Sequence, residues 1–218
     1  MKNPSSILPA LLCICLLGFI LIGCEPTVSF VEPQPQGSAN LESFPKGLHG
    51  NYLSEDGASV LSITDRCIYR TYDYEEVKTQ DSVQTKSSEN EKDTVLHVKS
   101  GSFELTSTRT DSSINHVHYV DTLFQLSNEN LLRKFKGYYF LNFKLSSGSW
   151  EVNKLNLSGG KLSWGEISSQ LEFNELQPYS ESPSDSTAIR VKLNRKQFKD
   201  FIREDGFHFE ETFTKIRL

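Results

Sequence analysis

The sequence predicts an all-β domain: an antiparallel meander, barrel-like or strongly curved, with one short helix before the last strand. Three observations carry that expectation. Apolar and polar residues alternate with period two through Val60–Ile63, Ile68–Tyr74, Leu96/Val98, Phe103/Leu105, Val117/Tyr119, Phe124/Leu126, Ile189/Val191/Leu193 and Phe207/Phe209. That alternation marks strands with one buried and one wet face. One hairpin pattern also recurs, at Leu61-Ser62-Ile63-Thr64-Asp65 before Ile68, Phe124-Gln125-Leu126-Ser127-Asn128 before Leu131, and Leu155-Asn156-Leu157-Ser158-Gly159 before Leu162. Each copy reads as a strand end, a turn on a side-chain-capping residue, and a returning strand. Finally, 14 Phe, 8 Tyr and 2 Trp supply aromatic residues for a core.

The elements follow in order. Lys2 precedes a 16-residue apolar run, Ile7 to Ile22, and then Gly23-Cys24. The run is shorter than the ~20 residues of a membrane-spanning helix. Pro4 and Pro9 also disfavour a continuous helix there. A positive start, an apolar centre and a small residue at the end make a secretory signal peptide. Residues 1–23 are therefore expected to be removed, leaving 195 of the 218 residues. Loss of Lys2 leaves 22 basic against 28 acidic residues, a formal net charge of −6. So acidic a chain is a poor nucleic-acid binder, because phosphates need a basic face.

Residues 24–44 read as a flexible tether, since Pro26, Pro33, Pro35 and Gly37 interrupt any regular element. A single β domain is expected over 45–218. Tyr138-Tyr139-Phe140-Leu141-Asn142-Phe143 is apolar on both faces and predicts a central strand covered on both sides. Tyr139, Phe143, Trp150 and Trp164 are expected to fill the barrel interior. Asn194 caps a helix over Arg195–Arg203, with Phe198, Phe201 and Ile202 on one face and Gly206 as its stop. Gly206–Leu218 reads as the last strand. Lys78–Asp93 and Pro178–Ser186 are polar and are expected to be mobile excursions.

Few residues carry chemistry. Cys13 and Cys15 fall in the removed segment, and Cys67 is then the one thiol besides Cys24, which excludes an internal disulfide. Cys67 reads as a small buried hydrophobe. His116 and His118 share a strand face at a spacing that zinc sites use, with Asp111 or Asp121 as possible oxygen donors, but two ligands do not make a site. They are weak metal candidates; no metal or other cofactor is expected. Glu210-Glu211 and Asp73/Glu75 are the conceivable carboxylate pairs for glycoside hydrolysis. Gly-x-Ser-x-Gly and phosphate-cradling glycine loops do not occur in the sequence. The chain is read as not an enzyme, with no catalytic residue.

Three resemblances add to this. Leu21-Ile22-Gly23-Cys24 resembles the bacterial lipobox, which implies cleavage before Cys24 and lipidation (palmitate and related acyl chains) of its thiol. Gly47-Leu48-His49-Gly50-Asn51-Tyr52 looks like the Leu-x-Gly-x-Trp/Tyr opening of lipocalin-like lipoproteins, with Tyr52 in place of the usual Trp. Tyr139-Phe140-Leu141-Asn142, Trp150 and Leu155-Asn156-Leu157 look like uncharacterised envelope lipoproteins of the Bacteroidetes. The resemblance implies a lipoprotein held on the outer membrane of a Gram-negative bacterium by its acyl chains. Cys24-Glu25-Pro26-Thr27 lacks the acidic run associated with surface export in that phylum, which implies the periplasmic face. The functional expectation is a non-enzymatic binding or structural module, with an envelope protein as its conceivable partner. The alternative is a lipocalin-like carrier of a small apolar ligand.

Overall fold

A computed structural model describes residues 27–77, 95–100, 102–109, 114–183 and 186–216. The expected signal peptide and Cys24 lie outside these residues, as does the excursion expected over Lys78–Asp93. The described chain is mainly antiparallel sheet. Its fourteen strands are β1 (Val28–Phe30), β2 (Asn40–Leu41), β3 (Gly50–Ser54), β4 (Val60–Ile63), β5 (Cys67–Val77), β6 (Val95–Ser100), β7 (Phe103–Arg109), β8 (Ile114–Gln125), β9 (Asn130–Phe135), β10 (Tyr138–Lys144), β11 (Trp150–Ser158), β12 (Lys161–Glu166), β13 (Ile189–Val191) and β14 (Phe209–Ile216). Two short helices, α1 (Gln170–Leu176) and α2 (Arg195–Arg203), join them.

The strands run in the order β2-β9-β10-β11-β12-β14-β3-β4-β5-β8-β7-β6, and the sheet does not close. Of the three recurring turns, those at 64–66 and 159–160 join paired neighbours. Gly159 and Gly160 adopt φ of 59° and 82°, which glycine takes without penalty. The third differs. The Ser127 N–H donates to the Asn130 carbonyl at 3.1 Å, yet β8 and β9 then diverge without a ladder. This corner is the seam of the curved sheet. Aromatic edges bridge it: Phe124 meets Phe143 at 5.1 Å and Phe44 at 5.8 Å between ring centroids. Arg66 adds polar stitches, donating to the carbonyls of Glu42 and Leu126 at 3.1 Å each.

The curved sheet has two cores. Its inner face packs Tyr52, Leu61, Ile68, Leu141, Leu155, Trp164 and Phe213 with the short turn Lys46–Leu48 beneath. The Tyr52 hydroxyl donates to the Leu48 carbonyl at 2.7 Å. The outer face of β10 and β11 carries a second layer, where Phe140 and Val152 pack against β1, β13, α1 and α2. As expected, β10 is covered on both sides, with Phe140 in the outer core and Leu141 in the inner one.

Four expectations need correction. Residues 28–44 are not a flexible tether: Val28 and Phe30 are 4% and 0% exposed, and β1 runs parallel to β13. Prolines broke the pattern locally, but the three-residue apolar strand before them found a partner far along the chain. Asn142 then holds the turn that follows, accepting from the Gln34 N–H at 2.6 Å and donating to its carbonyl at 2.9 Å. Trp150 faces outward into the second core, because strand alternation puts it opposite Leu155 and Leu157. Residues 178–183 are held against β13: Glu181 donates to the Arg190 carbonyl at 2.8 Å, and Lys192 to that of Tyr179 at 3.0 Å. And α1 is a second helix, opened by a capping box between Ser169 and Glu172.

The helix expected at Arg195–Arg203 is present, capped by Asn194 and Gln197, with Phe198 and Phe201 buried. Gly206 stops it. Its N–H reaches the Phe201 carbonyl at 3.0 Å, and a Cβ there would lie 2.6 Å from the Phe201 ring.

Candidate functional site

Strands β5 and β8 are the longest, 11 and 12 residues, and with β7 and β6 they form a blade at one end of the sheet. Among the described residues, none from β7 enters either core. Register assigns the blade's faces. Pairing sets Tyr72 opposite Tyr119, Asp73 opposite His118, Tyr74 opposite Val117 and Glu75 opposite His116. Side chains alternate along a strand, so the acids and imidazoles share one face and the aromatics the other.

The polar face brings His116 and His118 together, as their spacing predicts. Each imidazole takes one carboxylate: His118 Nδ1 lies 2.6 Å from Asp73, and His116 Nδ1 lies 3.4 Å from Glu75. With Thr106 they line a shallow cleft of about 320 Å³. All four side chains are at least half exposed, so each pair contributes only about 0–1 kcal/mol. Asp121 faces the other side of the blade, opposite Arg70, and Asp111 lies outside the described residues. His49 sits against the Phe44 carbonyl and His208 beside Asp205. Among the described residues, no three His, Cys, Asp or Glu side chains converge to hold a metal ion.

The aromatic face continues the inner face of the curved sheet. Tyr119 lies 6.0 Å from Tyr72 and 5.7 Å from Phe103, centroid to centroid, making a row across three strands. Tyr74 beyond them is 52% exposed. Where the blade meets the rest of the curved sheet, Arg70 reaches over β4 and β3 to ion-pair with Glu211, and its guanidinium lies 5.2 Å from the Phe213 ring centroid. Burial works against the Arg70 charge, but the bond to Glu211 outweighs it and holds the guanidinium above its ordinary pKa. Burial, then the nearby Asp121, raises the Tyr119 hydroxyl.

The conceivable carboxylate pairs are divided. Glu211 points inward to Arg70, whereas its neighbour Glu210 pairs at 2.9 Å with Lys154, whose side chain is 9% exposed. Asp73 and Glu75 are engaged with the histidines. Sequence reasoning missed a different carboxyl. Glu151 lies opposite Phe143 on the inner face, and burial, then the charge of Glu166, raises its pKa. Only register, which sequence does not contain, puts Glu151 there. Cys67 is buried, as a small hydrophobe would be.

No helix among the described residues is long and apolar enough to cross a membrane. Compared with known proteins, the chain matches no family model, and no curated protein or solved structure is similar to it.

Proposed function

We propose that the protein is a lipid-anchored, non-enzymatic binding or structural module of a Gram-negative envelope. In this reading Cys24 carries the acyl chains at the periplasmic face of the outer membrane. One observation favours a module over a carrier: the inner face of the curved sheet is occupied by its own side chains. Fourteen buried hydrophobic residues, from Phe44 to Phe213, make one contiguous cluster there among the described residues. A carrier barrel needs that volume for its ligand. The blade, with an aromatic face and a His/carboxylate face, is then the surface that offers contact to an envelope partner.

Two measurements test this. Mass spectrometry of the native protein should find a chain beginning at acylated Cys24, and Cys24→Ala should leave an unprocessed precursor. Residues 1–23 still attached to an unmodified Cys24 would overturn the anchoring. Titration of the Cys24→Ser protein with a fatty acid and a fluorescent apolar probe should show no saturable binding. Stoichiometric binding would replace the module reading with the carrier.

A further inference from the structure

The structure begins to describe the chain at Thr27, only three residues after Cys24. Three residues span at most about 11 Å when fully extended. Thr27 itself is fixed, since its carbonyl accepts from the Ile189 N–H at 2.8 Å and β1 starts at the next residue. Whatever is attached to Cys24 therefore stays close to this corner of the domain.

The corner has an unusual surface. Thr27 and Val28 line a cleft of about 320 Å³ with Ile167, Ser169, Gln170 and Phe173 at the start of α1, and none of its lining residues is charged. The segment that follows, α1 and the single turn Gln177–Tyr179, exposes Gln170, Leu171, Asn174, Pro178 and Tyr179, all uncharged; its one partly exposed charge, Glu175, lies beside Glu204. In a chain with 23% charged residues this is a distinct patch. Leu171 stands out of it, 77% exposed, the most exposed large hydrophobic residue described. Packing does not account for Leu171 on that side of the helix. Glu172 and Leu176 are the residues that α1 buries.

We propose that this patch is the membrane-facing surface of the domain, with Leu171 reaching into the headgroup region of the bilayer that holds the Cys24 acyl chains. The inference rests on the lipid-anchoring reading and sharpens it. A long tether would leave the orientation of the domain free. A three-residue link ending at a fixed strand presses one face on the lipid. A face whose one carboxylate is half-buried is the one that an acidic protein can bring against an anionic surface with least repulsion. An exposed leucine gains by leaving water there. The blade, assembled from other strands, remains free for a partner.

The test uses the full-length lipidated protein in phosphatidylethanolamine–phosphatidylglycerol vesicles. A spin label is placed at Leu171→Cys, or at Tyr74→Cys on the blade as the reference. Cys67 is buried, and the wild type measures its background labelling. Vesicle flotation and the acylated mass report the anchoring separately. The label at 171 should collide more with oxygen and less with a water-soluble nickel complex than the label at 74. If the protein floats with vesicles and both labels are equally exposed to water, the inference is overturned while the anchoring stands. If the protein neither floats nor carries acyl chains, the anchoring fails and the inference with it.

Discussion

Glu172 keeps a carboxylate where only 3% of the residue meets solvent. Burial pushes its pKa up, but four donors outweigh burial and hold it below the ordinary carboxylate value. These are the N–H groups of Ser168, Ser169 and His208 and the Ser169 hydroxyl, at 2.8–3.1 Å. One side chain thus caps α1 and ties it to the strand leading into β14. Glu172→Gln should cost about 1–3 kcal/mol at neutral pH. The sign of the pH effect follows from the lowered folded value. The stabilisation is complete above the unfolded carboxylate pKa and is lost as pH falls through the folded one. Urea unfolding of both proteins should show the gap closing with acid; a gap independent of pH would refute this role for the charge. Asn142 makes a parallel case without charge. Asn142→Leu strands the N–H and carbonyl of Gln34, and should cost about 1–3 kcal/mol. It should also open residues 31–37 to protease. Urea unfolding and limited proteolysis would report the two effects.

At the scale of elements, what sequence could show depended on how local each signal was. The α2 helix was legible because cap, apolar face and stop lie within thirteen residues, Asn194 to Gly206. The long alternating strands were legible for the same reason. The Ser169-x-x-Glu172 capping box was equally local and would have marked α1, had the apolar residues after it been spaced as a clear helical stripe. By contrast, β1 has three residues and its partners, β13 and at Phe30 also β11, lie far along the chain. Nothing near it in sequence distinguishes it from the tether it was expected to join. The histidine face could be anticipated from spacing alone, whereas the pairing of Arg70 with Glu211 depends on the sheet curling back on itself. Trp150 and Trp164 test the two cores. Trp164→Ala, in the inner core at 8% exposure, should cost about 3–5 kcal/mol. Trp150→Ala, half-buried on the outer face, should cost less. Equal losses in urea unfolding would contradict the assignment of the two residues to different layers. Phe30→Ala should likewise cost about 3–5 kcal/mol, where a flexible tether would tolerate it without loss.

For the whole molecule, the pairing of β1 with β13 sets an order of events. Val28 and Ile189 are partners across nearly the entire folded chain. A chain that emerges from its N-terminus exposes the apolar Val28-Ser29-Phe30 first, yet that strand waits for Trp150 of β11 to pair with Phe30 and for residues 189–191 to pair along its whole length. Contacts so distant in sequence carry a large loop-closure cost and slow folding to milliseconds or seconds. A chain cut short before Ile189 should therefore leave β1 without its β13 ladder, bridged only to β11 at Phe30, however long it is incubated, and faster proteolysis near Phe30 than in the full chain would reveal it. The first strand to arrive is among the last to be secured. During that interval the nascent protein carries a sticky apolar strand near its N-terminus, which is when an escort that shields hydrophobic segments would matter most.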